Sequence, residues 1–137
     1  MIIQFDSNYL EDIYRLGSLL HDNYRSLYDE NSLNSNVNKV FLFVDNTNKL
    51  LGFIHIQDIM DEINIIDIVI DPNYRQLGYG AKLLEYIISY ANNKRIILEV
   101  NQNNVSAINL YKKYNFREIN RRKRYYNGQD AIIMEKK

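Results

Sequence analysis

The sequence predicts one mixed α/β (α+β) domain on a central, mostly antiparallel sheet of about seven strands flanked by four helices, in the order βααβββαβαββ. Three observations predict it. Apolar runs rich in isoleucine and phenylalanine fill residues 40–70, broken by turn residues at hairpin spacing. The period then changes: Gly80, Leu83, Leu84, Ile87, Ile88 and Ala91 fall on one helical face. One proline, Pro72, and five glycines leave no linker in 137 residues, so residues 1–137 are expected to form a single domain.

Each element follows from local pattern. Ile2-Ile3-Gln4-Phe5 is a short first strand. Leu10, Ile13, Leu16, Leu19 and Leu20 repeat with helical spacing from Tyr9 to Leu20, and a second short helix is expected around Asp22 to Asp29. Asn and Ser crowd between Asp29 and Asn38, which predicts a surface loop. Val40 to Val44 is a buried strand, turned by Asp45-Asn46-Thr47-Asn48 into a strand from Leu50 to Ile59, and Ile63 to Ile70 completes a meander. Asn92-Asn93 closes the helix that Gly80 opens, and Arg95 to Asn101 is the next strand. Asn103-Asn104 offers an N-cap to a helix from Val105 to Tyr114. Phe116 to Tyr126 and Ala131 to Met134 are two strands joined at Asn127-Gly128-Gln129, a hairpin signal.

Composition narrows the chemistry. With 46% hydrophobic and 25% charged residues, the chain folds around a core rather than staying disordered. The absence of cysteine excludes disulfides, thiolate nucleophiles and thiolate zinc sites. Two histidines, His21 and His55, cannot alone hold a metal, so none is expected. No run approaches the ~20 apolar residues of a membrane span. The opening Met-Ile-Ile-Gln-Phe-Asp is no signal peptide, so a cytoplasmic location without a membrane partner is expected. A net charge of zero conceals a division. Residues 1–70 hold 4 Lys and Arg against 11 Asp and Glu, a balance of −7, and residues 71–137 hold 13 against 6, a balance of +7. Either the halves attract each other, or the front binds a cation and the back an anion. Arg121-Arg122-Lys123-Arg124 before Tyr125-Tyr126 is one short basic run without a nucleic-acid motif, and no nucleic-acid partner is expected.

The segment richest in chemistry is Ile68-Val69-Ile70-Asp71-Pro72-Asn73-Tyr74-Arg75-Gln76-Leu77-Gly78-Tyr79-Gly80-Ala81. A strand feeds a loop with two glycines that opens into the strongest helix. Glycine lets backbone N–H groups approach a ligand, and a helix start adds unpaired N–H groups and a positive dipole end, which suits a pyrophosphate. The alternative is that Gly78 and Gly80 only turn the chain. A nucleotide-hydrolase loop is excluded because Gly80-Ala81-Lys82-Leu83 lacks its Gly-Lys-Ser/Thr ending, and a dinucleotide turn because Leu83 replaces its third glycine.

Arg75-x-x-Gly78-x-Gly80, after a strand and Pro72, resembles the acyl-CoA-binding motif of the GNAT N-acetyltransferases, and the element order is also that family's. Leu98-Glu99-Val100-Asn101-x-x-Asn104-x-x-Ala107-Ile108-x-Leu110-Tyr111-x-x-Tyr114-x-Phe116 resembles the RimI type within it, which acetylates the N-terminal amine of a ribosomal protein. Arg121-Arg122 with Tyr125-Tyr126, then Gly128-x-Asp130-Ala131-Ile132-Ile133-Met134, resembles the tail of that type. Asn115 stands where the family usually has glycine; asparagine tolerates the same left-handed cap. The resemblance implies acetyl-CoA as co-substrate and a protein N-terminus, possibly ribosomal, as acceptor. It implies that backbone groups of Ile68, Val69 and Ile70 hold the pantetheine arm and acetyl carbonyl, and that Arg75, Gln76, Leu77, Gly78, Tyr79, Gly80 and Ala81 cradle the pyrophosphate. Asn104 and Tyr111 face the coenzyme; their seven-residue spacing, near two helical turns, independently puts them on one face.

Acetylating an amine needs its neutral form. An α-amine with pKa near 8 is ~10% neutral at pH 7 and a lysine below ~0.1%, a difference of about 3 kcal/mol, so an N-terminal acceptor needs only a modest base. Glu99, a carboxylate in an apolar strand, is the candidate; burial is expected to raise its pKa, and a water can relay the proton. Otherwise Glu99 faces solvent or pairs with Arg95 or Lys94. Tyr111 is expected to protonate or hydrogen-bond the departing thiolate, and Tyr125 and Tyr126 either line the peptide groove or are ordinary strand aromatics. Without cysteine, direct attack of amine on thioester is the expected mechanism. Three alternatives stay open: a small-amine or lysine acceptor, a non-catalytic acyl-CoA-binding regulator, and a basic-hairpin RNA-binding module.

Overall fold

The computed structural model describes the backbone of residues 1–137 and every side chain except that of Tyr126. Its strands are β1 (Ile2–Gln4), β2 (Asn38–Val44), β3 (Leu50–Ile59), β4 (Glu62–Ile70), β5 (Arg95–Asn101), β6 (Arg117–Tyr126) and β7 (Gln129–Lys136). Its helices are α1 (Leu10–Gly17), α2 (Tyr24–Leu27), α3 (Glu30–Leu33), α4 (Tyr79–Ala91) and α5 (Val105–Lys113). The seven strands form one sheet in the order β1-β2-β3-β4-β5-β7-β6. Only β4 and β5 run parallel, joined by the crossover through α4 that a parallel pair requires.

The meander, the long helix and the final hairpin match expectation. Asn127 and Gly128 both take positive φ (46° and 91°), the backbone an Asn-Gly hairpin turn demands. Asn115 holds φ 71° in the helix-ending turn where a glycine would be easiest, and the Phe116 amide donates to the Tyr111 carbonyl at 3.0 Å.

Two expectations fail near the amino terminus. Five α-helices, not four, flank the sheet, because α3 forms inside the segment read as a loop. The Asp29 carboxylate accepts from the Ser32 amide at 2.8 Å and Leu33 is buried, so a cap and one apolar anchor outweigh the local turn composition. The first helix ends at Gly17 rather than Leu20. A Cβ on Gly17 would stand 2.5 Å from the Tyr24 ring; the chain packs there against α2 and leaves Leu19 and Leu20 exposed.

The sheet separates two apolar layers. On the α4 face lie Phe41, Ile54, Ile63, Leu83, Leu84, Ile87, Leu98 and Tyr111. On the α1 face lie Ile13, Leu16, Tyr24, Leu33, Leu42, Phe53 and Val69. Each fully buried aliphatic side chain stabilises the fold by about 1.5–3 kcal/mol relative to exposure. His55 is fully buried on β3, its Nε2 donating to Asn38 Oδ1 at 2.9 Å, a packed histidine as its apolar strand implied.

One irregularity positions the site. His55 pairs with Asp67 and Ile56 with Ile65, so Ile66 is an extra residue in β4, a bulge. Ile63 and Ile65 face the α4 layer before it; after it Ile68 and Ile70 pack on that layer, while Val69 turns to the α1 layer. The shift in parity carries Asp67 to the α1 face.

Candidate active site

β4 and β5 pair only where Glu62–Ile65 meet Arg95–Leu98. Beyond Ile65 the strands part, and a cleft of about 1360 Å³ opens through the split, bounded by β4, β5, α4, α5 and the turn before α2. Past that point the backbone groups of Ile68, Val69 and Ile70 that point away from β3 have no neighbouring strand to meet, and all three residues line the cleft. Arg75 Nε takes the Ile70 carbonyl at 3.3 Å and fixes the turn leaving the strand.

The loop into α4 puts a ring of amides at one end. Gly78 is the N-cap with φ 85° and no side chain caps the helix, so the first-turn amides are left for a ligand. Arg75, Gln76, Gly78, Tyr79, Gly80 and Ala81 line the cleft. Leu77, expected in the same cradle, does not: its side chain is 57% exposed. The two glycines answer different needs. Gly78 is required by its backbone, since a Cβ there meets nothing within 4 Å. A Cβ on Gly80 would touch only Ile70 and Leu110, at 3.9 and 4.0 Å, so the protein's own packing does not demand glycine there. The residues present around the helix start fit a pyrophosphate.

Asn104 caps α5, its Oδ1 accepting from the Ala107 amide at 3.2 Å, which leaves its NH₂ end to meet a ligand. Seven residues on, Tyr111 lines the same cleft but is only 8% exposed. Burial first, then the negative charge of Asp67, push its phenol up to about 12.

Glu99 enters the cleft from β5, so the split brings it and Tyr111 to one cavity. It is not buried as expected. Leu98 and Val100 turn inward and Glu99 outward by strand alternation, and its Oε1 meets Arg122 Nη2 at 3.1 Å rather than Arg95 or Lys94. Arg122 in turn covers the Tyr125 ring, 5.3 Å from its centroid, and both line the cleft. The side chain of Tyr126, expected beside Tyr125, lies outside the described residues. The basic run is largely engaged within the protein: Arg121 pairs with Glu118 and Asp130, Arg122 with Glu99, and Lys123 with Asp130.

Sequence reasoning missed three cleft residues, His21, Tyr28 and Asp67. The available signal was Asp67 itself, an acid in the run Ile65-Ile66-Asp67-Ile68. Among the described residues no cluster of side chains could hold a metal, and no helix is long and apolar enough to cross a membrane.

Residues 7–116 match the model of the acetyltransferase (GNAT) family. The chain belongs to the GNAT family. Among GNAT relatives it is 36% identical over 93 residues to the [ribosomal protein bS18]-alanine N-acetyltransferase of Escherichia coli K12, covering 63% of each chain. The match thus spans just under two thirds of that relative's length. A putative enzyme of the same name from Bacillus subtilis is 35% identical over 99 residues, 69% of this chain and 66% of that one. In three dimensions the crystal structure of the Escherichia coli ribosomal-protein-S18-alanine N-acetyltransferase superposes with a TM-score of 0.81 at 26% identity, covering 98% of this chain and 91% of that one. A Vibrio cholerae spermidine N-acetyltransferase shares the GNAT fold at a TM-score of 0.84 and 19% identity, over 99% of this chain and 92% of that one.

Proposed function

We propose that this GNAT protein moves an acetyl group from acetyl-CoA to the α-amine of a protein N-terminus in the cytoplasm, with a ribosomal protein as the first acceptor to test. The observation that carries the reading is the single cleft joining the free amides of α4 to Glu99 and Tyr111 through the split between β4 and β5. Similarity to enzymes named for alanine N-acetylation of a ribosomal protein supports the choice of acceptor.

The α4 amides and Arg75 hold the pyrophosphate, and the open backbone of Ile68–Ile70 guides the arm so that the thioester reaches the split. The amine nitrogen attacks the carbonyl carbon directly, and the C–S bond breaks. Glu99 takes a proton from the nitrogen through a water, with Arg122 holding its other side. Tyr111 donates a hydrogen bond to the departing sulfur. Tyr125 and Arg122 border the acceptor's path.

The test mixes acetyl-CoA with a peptide beginning in alanine and with its N-acetylated twin, and follows thiol release. Release with the free amine alone is expected. Equal release from both rejects an α-amine acceptor, release only with spermidine moves the acceptor to small amines, and coenzyme binding without release from any amine makes the protein a regulator.

A further inference from the structure

An amine that arrives as an ammonium must lose two protons to become an amide nitrogen, one to free its lone pair and one after the C–N bond forms. Glu99 serves one of these. The cleft holds a second carboxylate, Asp67, only 8% exposed. Its Oδ1 lies 3.2 Å from His21 Nε2, in the turn before α2. Its Oδ2 is buried and meets no donor among the described residues. For a residue that only anchored His21, asparagine would serve without a buried charge; a carboxylate that lines the cleft and keeps one oxygen unpartnered among the described residues has the capacity to accept a proton.

We propose that Asp67 is a second catalytic base, which takes the first proton of a cationic acceptor amine while His21 holds it in position; the inference rests on the acetyl-transfer reading above. The ammonium N–H bond breaks, an O–H bond forms at the Asp67 carboxylate, and the electron pair stays on nitrogen. The freed nitrogen bonds to the thioester carbon and the C–S pair leaves on sulfur. The second N–H proton passes by way of Glu99 to that sulfur, and Asp67 returns its own proton to water once the amide has left. Free CoA thiol, the amide and one solvent proton balance the reaction.

The surroundings suit the task. Burial raises the Asp67 carboxyl above its usual range, against the lowering effect of His21. His55, its cross-strand partner, is held down to about 4, and the phenols of Tyr24, Tyr28 and Tyr111 are all pushed up, so none of them competes for the proton near neutrality. Glu99, by contrast, is exposed and already engaged by Arg122.

The test compares two acceptors in Asp67→Asn. One peptide begins with alanine; the other begins with trifluoroalanine, whose electron-poor amine is already neutral near pH 7. With coenzyme affinity unchanged, turnover of the alanine peptide should fall about 100-fold while the trifluoroalanine peptide is nearly unaffected. An equal loss on both overturns the proposal. A second readout needs neither variant nor turnover. In wild-type protein saturated with CoA and labelled with ¹³C-aspartate, the alanine peptide should move the Asp67 carboxyl resonance to its protonated position and the N-acetylated twin should not. No movement overturns the proposal even if the peptide is acetylated; movement without acetylation keeps this base and removes the transfer reading.

Discussion

A phenol pushed up to about 12 beside a thiol near 8.5 limits what Tyr111 does for the leaving group. Full proton transfer from it to a thiolate runs uphill by roughly 3.5 pKa units, about 5 kcal/mol, so its contribution is a hydrogen bond aimed at charge developing on sulfur. Tyr111→Phe should therefore lower kcat roughly 100-fold, leave the KM for acetyl-CoA near wild type, and leave the shape of the pH–rate curve unchanged. Loss of a basic limb from that curve would show instead that the phenol gives up its proton. Among twelve tyrosines the family resemblance singled this one out, and its seven-residue spacing from Asn104 agreed. Glu99 was legible as a cleft carboxylate, but its neighbour Arg122 was not, because that contact depends on how β6 lies across β7 and β5. Asp67 stood out only as an acid in an isoleucine run; its place in the cleft was not legible, since simple alternation cannot reveal a bulge that moves one residue to the other face.

At the scale of an element, α4 packs along its length and leaves its first turn open to the cleft. Its buried stripe, Leu83, Leu84, Ile87 and Ala91, is the face the sequence period announced. Its start was legible too, as a glycine pair ahead of that period, although two glycines by themselves also suit a plain turn. The helix α3 was not, because a one-turn element rests on a single cap and a single buried leucine rather than on a period. The two glycines make separable predictions. Gly78→Ala forces an alanine to φ 85° and should destabilise the protein by about 1–2 kcal/mol. Gly80→Ala adds a methyl that meets only ordinary contacts and gains helix propensity, worth up to about 1 kcal/mol, so the melting temperature should hold or rise. The same methyl stands where the pyrophosphate approaches, and acetyl-CoA affinity should fall about tenfold or more, some 1.4 kcal/mol. Calorimetric titration and thermal melts on the two variants check this; unchanged affinity in Gly80→Ala would mean that the loop only turns the chain.

Across the whole molecule, the consecutive strands were legible because hairpin turns are written in local residues, whereas the parting of β4 from β5 was not, because it depends on partners distant in sequence. The same sheet buries two ionisable groups side by side, His55 on β3 and Asp67 on β4, and they pull stability in opposite directions with pH. His55 Nε2 donates to Asn38 while Nδ1 is buried without a partner among the described residues, so burial holds the ring neutral and lowers its pKa from 6.5 to about 4. Between those values the unfolded chain binds a proton that the folded one refuses, so His55 withdraws stability as pH falls, up to about 3 kcal/mol by pH 4. Asp67, raised above 3.8 by burial, favours the fold when protonated and withdraws stability as pH rises above 3.8. Wild-type stability alone thus blends the two, and a variant separates them. His55→Gln keeps a donor for Asn38 and removes the titration. Urea unfolding above pH 6.5 and near pH 4 should show the wild type losing about 3 kcal/mol more than His55→Gln on acidification. Parallel losses would mean that the ring accepts its proton inside the folded sheet, in which case Asn38 and Tyr28, which pack on it, must yield enough to solvate it.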